Sequence, residues 1–149
     1  MKPFRISILI LLLMSGVLLI SSFRPFLPFQ VEVWKAPPTA DNLKNPVAVT
    51  EENILAGKKI FEGICWTCHG LDGKGNGPAS VQLIPKPADF SKTLVQSQSD
   101  GALFYKISVG KGAMVPFSQS FTPLQRWQLV CYLRQFQSEN YNISTQEIK

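Results

Sequence analysis

The chain has 149 residues, of which 45% are hydrophobic, 15 are basic and 10 are acidic. A chain of this length predicts one modest domain. Its basic residues are scattered, so the mild positive charge disfavours nucleic-acid binding, and its three cysteines are too few for a disulfide scaffold.

A long apolar run occupies residues 1–23. Lys2 and Arg5 precede it, and no charged residue lies between Ile6 and Phe23. A run of about 18 residues can just span a bilayer, whereas a signal-peptide core has about 7–15. Because no small-x-small cleavage site follows, we predict a retained transmembrane helix, with a cleaved signal segment as the alternative. The two basic residues favour a single-pass topology in the cytoplasmic membrane, with the rest of the chain on the periplasmic or outer side.

Residues 24–46 are rich in proline, with Pro25, Pro28, Pro37, Pro38 and Pro46. Proline fixes φ and disfavours helix at the preceding residue, so we expect an extended linker here. Trp34 can still pack against the domain that follows. That domain is predicted over residues 47–138, and a polar tail over residues 139–149.

The first helix of this domain is predicted to begin after Thr50. Thr50 is a good N-cap, and Glu51 and Glu52 place negative charge at the positive end of the helix dipole. Small and apolar residues then recur with helical spacing at Gly57, Ile60, Phe61, Ile64, Cys65 and Cys68. The two cysteines therefore continue the core-facing side of this helix.

Two further helices are predicted after a glycine- and proline-rich loop over residues 70–90. The glycines of that loop match no phosphate-binding or dinucleotide motif. A short helix is predicted over Asp100–Val109, followed by an irregular segment. The last helix is indicated by the cap Thr122, by Pro123 at its first position, and by apolar residues at Leu129, Tyr132, Leu133 and Phe136. No segment is typical of a strand, so the fold class is predicted to be all-α.

The stretch Cys65-Trp66-Thr67-Cys68-His69 carries the strongest functional signal. Residues at i and i+3 of a helix project to the same side, so both thiols can reach one edge of a flat ligand. Cys-x-x-Cys-His is the spacing of c-type haem attachment, in which the cysteines bond to the vinyl groups and the histidine binds the iron. We predict one covalently bound c-type haem (heme c), with Cys65 and Cys68 as its attachment points and His69 as the proximal iron ligand.

Three other interpretations of this stretch each lack a component. Zinc needs four ligands, but His69 is the only histidine, and Cys131 lies on an apolar helix where we expect a buried, inert thiol. A thioredoxin-like dithiol needs a βαβ context, which is missing before Cys65. A structural disulfide would leave His69 unexplained.

The second axial iron ligand is predicted to be Met114. A second histidine is not available, and Met1 and Met14 lie in the N-terminal run. Met114 lies in an irregular loop before Pro116, where a thioether can be directed at a metal. The alternative is an open or lysine-ligated iron, with Met114 only packing nearby.

The order of Cys-x-x-Cys-His, a glycine- and proline-rich loop, a methionine and an aromatic C-terminal helix resembles the class I cytochrome c family over residues 50–137. The resemblance implies a small fold whose N- and C-terminal helices cross beside the haem, with contacts among Gly57, Phe61, Trp127 and Tyr132. It also implies that a proline carbonyl accepts a hydrogen bond from His69. Pro87 is the best match, with Pro78 and Pro85 as alternatives.

The function that this resemblance implies is one-electron transfer by a membrane-tethered carrier of a respiratory chain. Redox proteins would be its donors and acceptors, and Lys74 and Lys111 are candidates for steering them. The sequence shows no catalytic acid/base pair or activated nucleophile, so an enzyme is not expected. Two alternatives are a fixed haem subunit of a quinol-oxidising, oxidase or dehydrogenase complex, and a haem sensor or peroxidase with an opened sixth site.

Overall fold

The computed structural model describes residues 33–137. The predicted transmembrane helix, residues 1–23, and the polar tail, residues 139–149, lie outside the described residues. None of the helices between residues 33 and 137 is both long and apolar enough to span a bilayer.

The described part of the chain consists of helices and loops. In chain order the elements are α1 (Pro38–Asp41), α2 (Glu51–Ile60), a π-helical turn (Phe61–Cys65), α3 (Trp66–His69), a 3-10 turn (Pro78–Ser80), α4 (Thr93–Gln96), α5 (Asp100–Val109), α6 (Pro123–Leu133) and a second 3-10 turn (Arg134–Phe136). Over residues 33–137 there is no β-strand, only an isolated bridge between Lys111 and Met114. The predicted all-α class is confirmed.

The helix boundaries follow local capping signals. Thr50 accepts a hydrogen bond from the Asn53 amide at 3.3 Å, as a helix N-cap should. Thr122 and Gln125 form a reciprocal capping box at the start of α6, with distances of 3.3 and 2.9 Å. Helix α5 has the predicted bounds and is capped by Ser99. These ends are therefore determined by residues within one turn of each helix.

Helices α2 and α6 cross in close contact at Gly57. A Cβ atom on Gly57 would lie 2.1 Å from the carbonyl oxygen of Gln128 and 2.9 Å from Cβ of Tyr132, so only glycine permits this approach. Four residues on, the fully buried Phe61 packs its ring 5.3 Å from the rings of both Tyr132 and Phe136. This contact between α2 and α6 is the helix crossing that the family resemblance implies.

Trp127 joins α6 to α5. Its ring stacks on that of Phe104, with centroids 4.0 Å apart and planes 14° apart. Cys131 is buried on the same helix, where it accepts a long hydrogen bond from Asn45 at 3.5 Å, and burial raises the pKa of its thiol. The predicted inert thiol at Cys131 fits this environment.

The structure differs from the expected extended linker in residues 33–46. Pro38 starts the short helix α1, since proline is well suited to a first helical turn. Ala40 is buried, and Asp41 accepts a hydrogen bond from the Ser99 hydroxyl at 2.6 Å. Asn45 donates to Asp100 at 3.4 Å. We call residues 33–47 the docked segment, because these contacts attach it to α5 and α6.

Trp34 attaches the first part of the docked segment to two lysines. Its carbonyl oxygen accepts a hydrogen bond from Nζ of Lys106 at 2.6 Å. The ammonium groups of Lys106 and Lys111 lie 5.3 and 5.9 Å from its ring centroid, within cation–π range. Burial and the neighbouring charge of Lys111 lower the pKa of Lys106.

Replacing Trp34 with alanine should destabilise the domain by on the order of 1 kcal/mol, since it removes two cation–π contacts of about 0.5–1 kcal/mol each. Denaturant unfolding of the haem-loaded protein measures this loss. Lys35→Ala is the control, because Lys35 is an exposed neighbour on the same segment. Equal stabilities for the two variants would show that Trp34 is not attached in solution.

Candidate functional site

The two cysteines of the motif lie at the end of the first helix. Cys65 ends the π-helical turn and packs against the buried core, and Cys68 lies in α3; both are half-buried free thiols. Burial, with a smaller contribution from the neighbouring Cys68, raises the pKa of Cys65 to about 12. Redox-active cysteines have a lowered pKa, so this environment disfavours a catalytic dithiol.

The π-helical turn Phe61–Cys65 was not predicted. Its hallmark is the hydrogen bond from the Trp66 amide back to the Phe61 carbonyl. The extra residue in the turn shifts the helical register, and Ile64, expected on the buried face, is 43% exposed. Trp66 packs against the core instead. Such turns are uncommon and frequently occur at functional sites, and this one ends at Cys65, the first residue of the Cys-x-x-Cys-His motif.

His69 is held in one orientation by two contacts. Its Nδ1 donates to the carbonyl oxygen of Ala88, 3.2 Å away, and its ring stacks on Phe90 with centroids 4.5 Å apart. Burial lowers the pKa of His69, against a smaller opposing effect of the Ala88 hydrogen bond. The imidazole is therefore neutral at pH 7. With the proton on Nδ1, the lone pair on Nε2 is available to a metal.

The hydrogen-bond acceptor of His69 differs from the proline carbonyl expected from the family resemblance. The Pro87 carbonyl oxygen faces Gly75, where an added Cβ would lie 2.3 Å from it. Gly75 has φ of +73°, a conformation that favours glycine. The Ala88 carbonyl oxygen lies near the same glycine, 3.3 Å from the added Cβ, and it is Ala88 that His69 reaches.

The loop that follows the motif wraps around the end of α3. The amides of Gly70, Gly75 and Gly77 donate to the carbonyls of Trp66, His69 and Cys68 at 2.8, 2.8 and 3.1 Å. Carbonyls at the end of a helix have no partners within the helix, so this loop satisfies them. It thereby fixes the backbone of the residues expected to hold the haem.

Met114 lies on a tight turn at the edge of the core. Lys111 and Met114 exchange two backbone hydrogen bonds, of 2.9 and 3.1 Å. The Met114 side chain is half-buried and packs against the same buried cluster as Cys65. The structure thus places both residues against one core.

The donor groups of this site fit a c-type haem better than a bare metal ion. Two thiols, a neutral imidazole and a thioether are the groups that attach and ligate such a haem. Among residues 33–137, no three His, Cys, Asp or Glu side chains are grouped to hold a metal ion.

Several apolar side chains within residues 33–137 are more than half exposed; those between the motif and α6 are Leu71, Val81, Ile84, Leu94 and Val115. Exposed apolar side chains that lie together usually mark a binding surface. A porphyrin is an apolar group of the kind that such side chains can cover.

Comparisons with known proteins agree with this chemistry. The family model described as Cytochrome c matches residues 54–137. No curated protein matches the sequence.

Among solved structures, a chain of the "Kuenenia stuttgartiensis reducing HAO-like protein complex Kustc0457/Kustc0458" is similar, with 30% identity, a TM-score of 0.56 and 64% of this chain covered. This chain spans about half of that chain's length, 48%. The "KustC0563 c-type cytochrome" is 30% identical, with a TM-score of 0.46, over 54% of this chain and 95% of its own.

Proposed function

The chain belongs to the cytochrome c family, and from that membership we propose that it transfers single electrons as a membrane-tethered carrier of a respiratory chain. It holds one haem c in this proposal. The residues that bind the haem are Cys65, Cys68, His69 and Met114. The protein is an electron carrier and not an enzyme by itself.

The geometry of His69 is the observation that carries this proposal. A neutral imidazole whose Nδ1 proton is donated to Ala88 presents Nε2 to the iron and is made more basic by that hydrogen bond. The stacked ring of Phe90 limits rotation of the imidazole. The bound haem supplies reversible one-electron chemistry at iron.

The other residues determine how firmly the group is held and how easily it is reduced. Cys65 and Cys68 make the attachment covalent. The Met114 thioether would be the second protein ligand of the iron, where it would raise the reduction potential and keep the iron closed to other ligands. The apolar loop residues limit water around the group, which tunes the potential further.

Loss of both motif cysteines should abolish covalent haem binding. The protein would be produced in a host that attaches c-type haem and then extracted with acidified organic solvent, which removes only non-covalent haem. We expect haem to stay with the wild-type protein, and no haem to stay with the Cys65→Ala/Cys68→Ala double variant. Cys131→Ala is the matched control, since this buried cysteine lies outside the motif and its variant should keep all of its haem.

Extraction of haem from the wild-type protein would overturn the proposed covalent attachment. Full retention by the double variant would overturn the assignment of these two cysteines.

The tether is proposed from the apolar run at residues 1–23, which has the length and flanking charges of a single-pass helix. The domain would then lie on the periplasmic or outer side of the cytoplasmic membrane. Cell fractionation tests this. The haem protein should stay in the membrane fraction after a high-salt wash and be released by detergent, whereas release by salt alone would contradict the tether.

Redox proteins are the proposed donors and acceptors. Of the two lysines suggested for docking, Lys74 lies 3.5 Å from the carboxylate of Asp72, and Lys111 lies over the ring of Trp34. Both charges are therefore partly engaged within the protein. Their contribution to docking is testable as a dependence of electron-transfer rate on ionic strength.

A fixed subunit of a larger oxidoreductase complex is the second candidate. It is favoured by the 30% identity and TM-score of 0.56 to a chain from the HAO-like protein complex. Persistence of a larger haem-containing assembly on a native gel in mild detergent would support the subunit. Migration as a single small protein would support the carrier.

A further inference from the structure

The segment that carries Met114 is held against α5 by backbone hydrogen bonds near its two ends. We call residues 110–121 the methionine loop; it runs from the end of α5 to the cap of α6. The amides of Phe117 and Ser118 donate to the carbonyls of Ile107 and Ser108 at 3.1 and 3.2 Å. These two bonds return the second half of the loop to the last turn of α5.

Arg126, on α6, donates hydrogen bonds at both ends of the methionine loop. Its Nε donates to the carbonyl oxygen of Phe121 at 3.2 Å, at the end of the loop. Its Nη1 donates to the hydroxyl of Ser108, just before the loop begins. The guanidinium also lies 4.6 Å from the ring centroid of Phe104. One side chain therefore links both ends of the methionine loop to α6.

The burial of Arg126 needs an explanation beyond stability. It is only 8% exposed, and none of the four ion pairs within residues 33–137 includes it. Burying a cation is costly, and a well-packed apolar side chain is often at least as stabilising at such a position. What an apolar side chain cannot supply is the rigid fork of donors that reaches two acceptors at once.

We propose that Arg126 is a positioning residue for the Met114 ligand, holding the methionine loop closed so that the thioether stays on the iron. This inference rests on the proposed function, in which Met114 is an axial ligand. Ordering flexible backbone has an entropic cost, so a ligand on an unfastened loop would leave the iron more often. Arg126 lowers that tendency because it fixes the two ends of the loop in the folded protein.

Arg134, in the 3-10 turn that directly follows α6, provides a matched control. It donates to Asp100 at 2.8 and 2.6 Å and to the carbonyls of Gln96 and Gln98 at 2.9 and 2.7 Å. Its contacts are at least as many as those of Arg126, but they fasten the connection between α4 and α5. Substitution of Arg126 should therefore affect Met114 ligation, whereas substitution of Arg134 should not.

The test compares Arg126→Met and Arg134→Met in the haem-loaded protein. The readouts are the weak sulfur-to-iron absorption band of the ferric state, the reduction potential, and the rate of carbon monoxide binding to the ferrous state. For Arg126→Met we expect a weakened band, a lower potential and carbon monoxide binding roughly tenfold faster or more, as the loss of hydrogen bonds from a charged donor predicts. For Arg134→Met we expect a lower unfolding temperature with an unchanged band.

Each outcome decides the proposal. A folded Arg126→Met protein with the wild-type band and carbon monoxide rate overturns the inference alone. A wild-type protein without the band overturns the Met114 assignment and the inference with it. If Arg126→Met does not fold, Ser108→Ala removes only one acceptor of the arginine. It should weaken the band in the same direction, and an unchanged band in that variant also overturns the inference.

Discussion

Replacing Met114 with alanine should convert a closed haem iron into an open one. The ferric sulfur-to-iron band should disappear, and the ferrous protein should bind carbon monoxide rapidly. The reduction potential should fall by on the order of 0.1 V or more, within the range of roughly 0.8 V over which axial ligands set haem potentials. The reason is that a thioether favours the ferrous state more than water or a harder ligand does. Absorption spectra and a redox titration of the purified protein measure all three effects.

Gln119→Ala is the control for this experiment. Gln119 lies on the same loop, its side chain is exposed, and it has no proposed contact with the haem. It should leave the band and the potential nearly unchanged. A Met114→Ala protein with the wild-type ligand spectrum would exclude Met114 as the ligand. Lys111 would then be the next candidate, since it is paired with Met114 in the same turn.

The elements that the sequence predicts correctly are those fixed by neighbours in the chain. The cap at Thr50, helix Asp100–Val109 and the capping box at Thr122 each depend on residues within one turn. The motif from Cys65 to His69 is local in the same sense, because its spacing alone places three groups on one helical turn. The crossing at Gly57 was predictable only through the family resemblance, since its partner lies on α6.

The features that the sequence does not predict depend on distant contacts. The prolines of the docked segment predict an extended chain. In the structure the segment packs on the domain, because Ala40 is buried and Asp41 accepts a hydrogen bond from Ser99. The acceptor of His69 differs from the expected one by a single residue. No sequence pattern distinguishes the Pro87 carbonyl from that of Ala88, because the acceptor depends on how the chain folds back near Gly75, which lies close to both carbonyls.

The burial of Arg126 is likewise not predictable from the sequence, because it depends on contacts with residues distant in the chain. In the sequence it is one charged residue in an amphipathic helix, for which a solvated position is the ordinary expectation. Its burial, and its bonds to Ser108 and Phe121, come from the return of the methionine loop to the end of α5. The residues proposed to attach the haem are therefore identified from spacing alone, whereas the residue proposed to hold a ligand in place is not.

Replacing Phe61 with alanine should cause the largest loss of stability. Phe61 is fully buried, and its ring lies 5.3 Å from those of Tyr132 and Phe136 and 6.1 Å from that of Phe90. Removing such a side chain costs about 3–5 kcal/mol, a large share of the 5–15 kcal/mol that stabilises a typical domain. Urea unfolding of the haem-loaded ferric protein, followed by circular dichroism, measures the change. Leu55→Ala, on an exposed part of the same helix, is the control and should cost far less.

The effect of Phe61→Ala should extend to the iron ligand, because Phe90 connects the two. Phe90 packs against Phe61 on one side and stacks on the imidazole of His69. A cavity at Phe61 lets Phe90 move and loosens the restraint on His69, so acid should displace the histidine from iron at a higher pH than in the wild-type protein. Phe61→Leu fills most of the cavity and should restore both stability and acid resistance. Equal costs for Phe61→Ala and Leu55→Ala would contradict the central position of Phe61, and an unchanged acid midpoint would contradict its connection to His69.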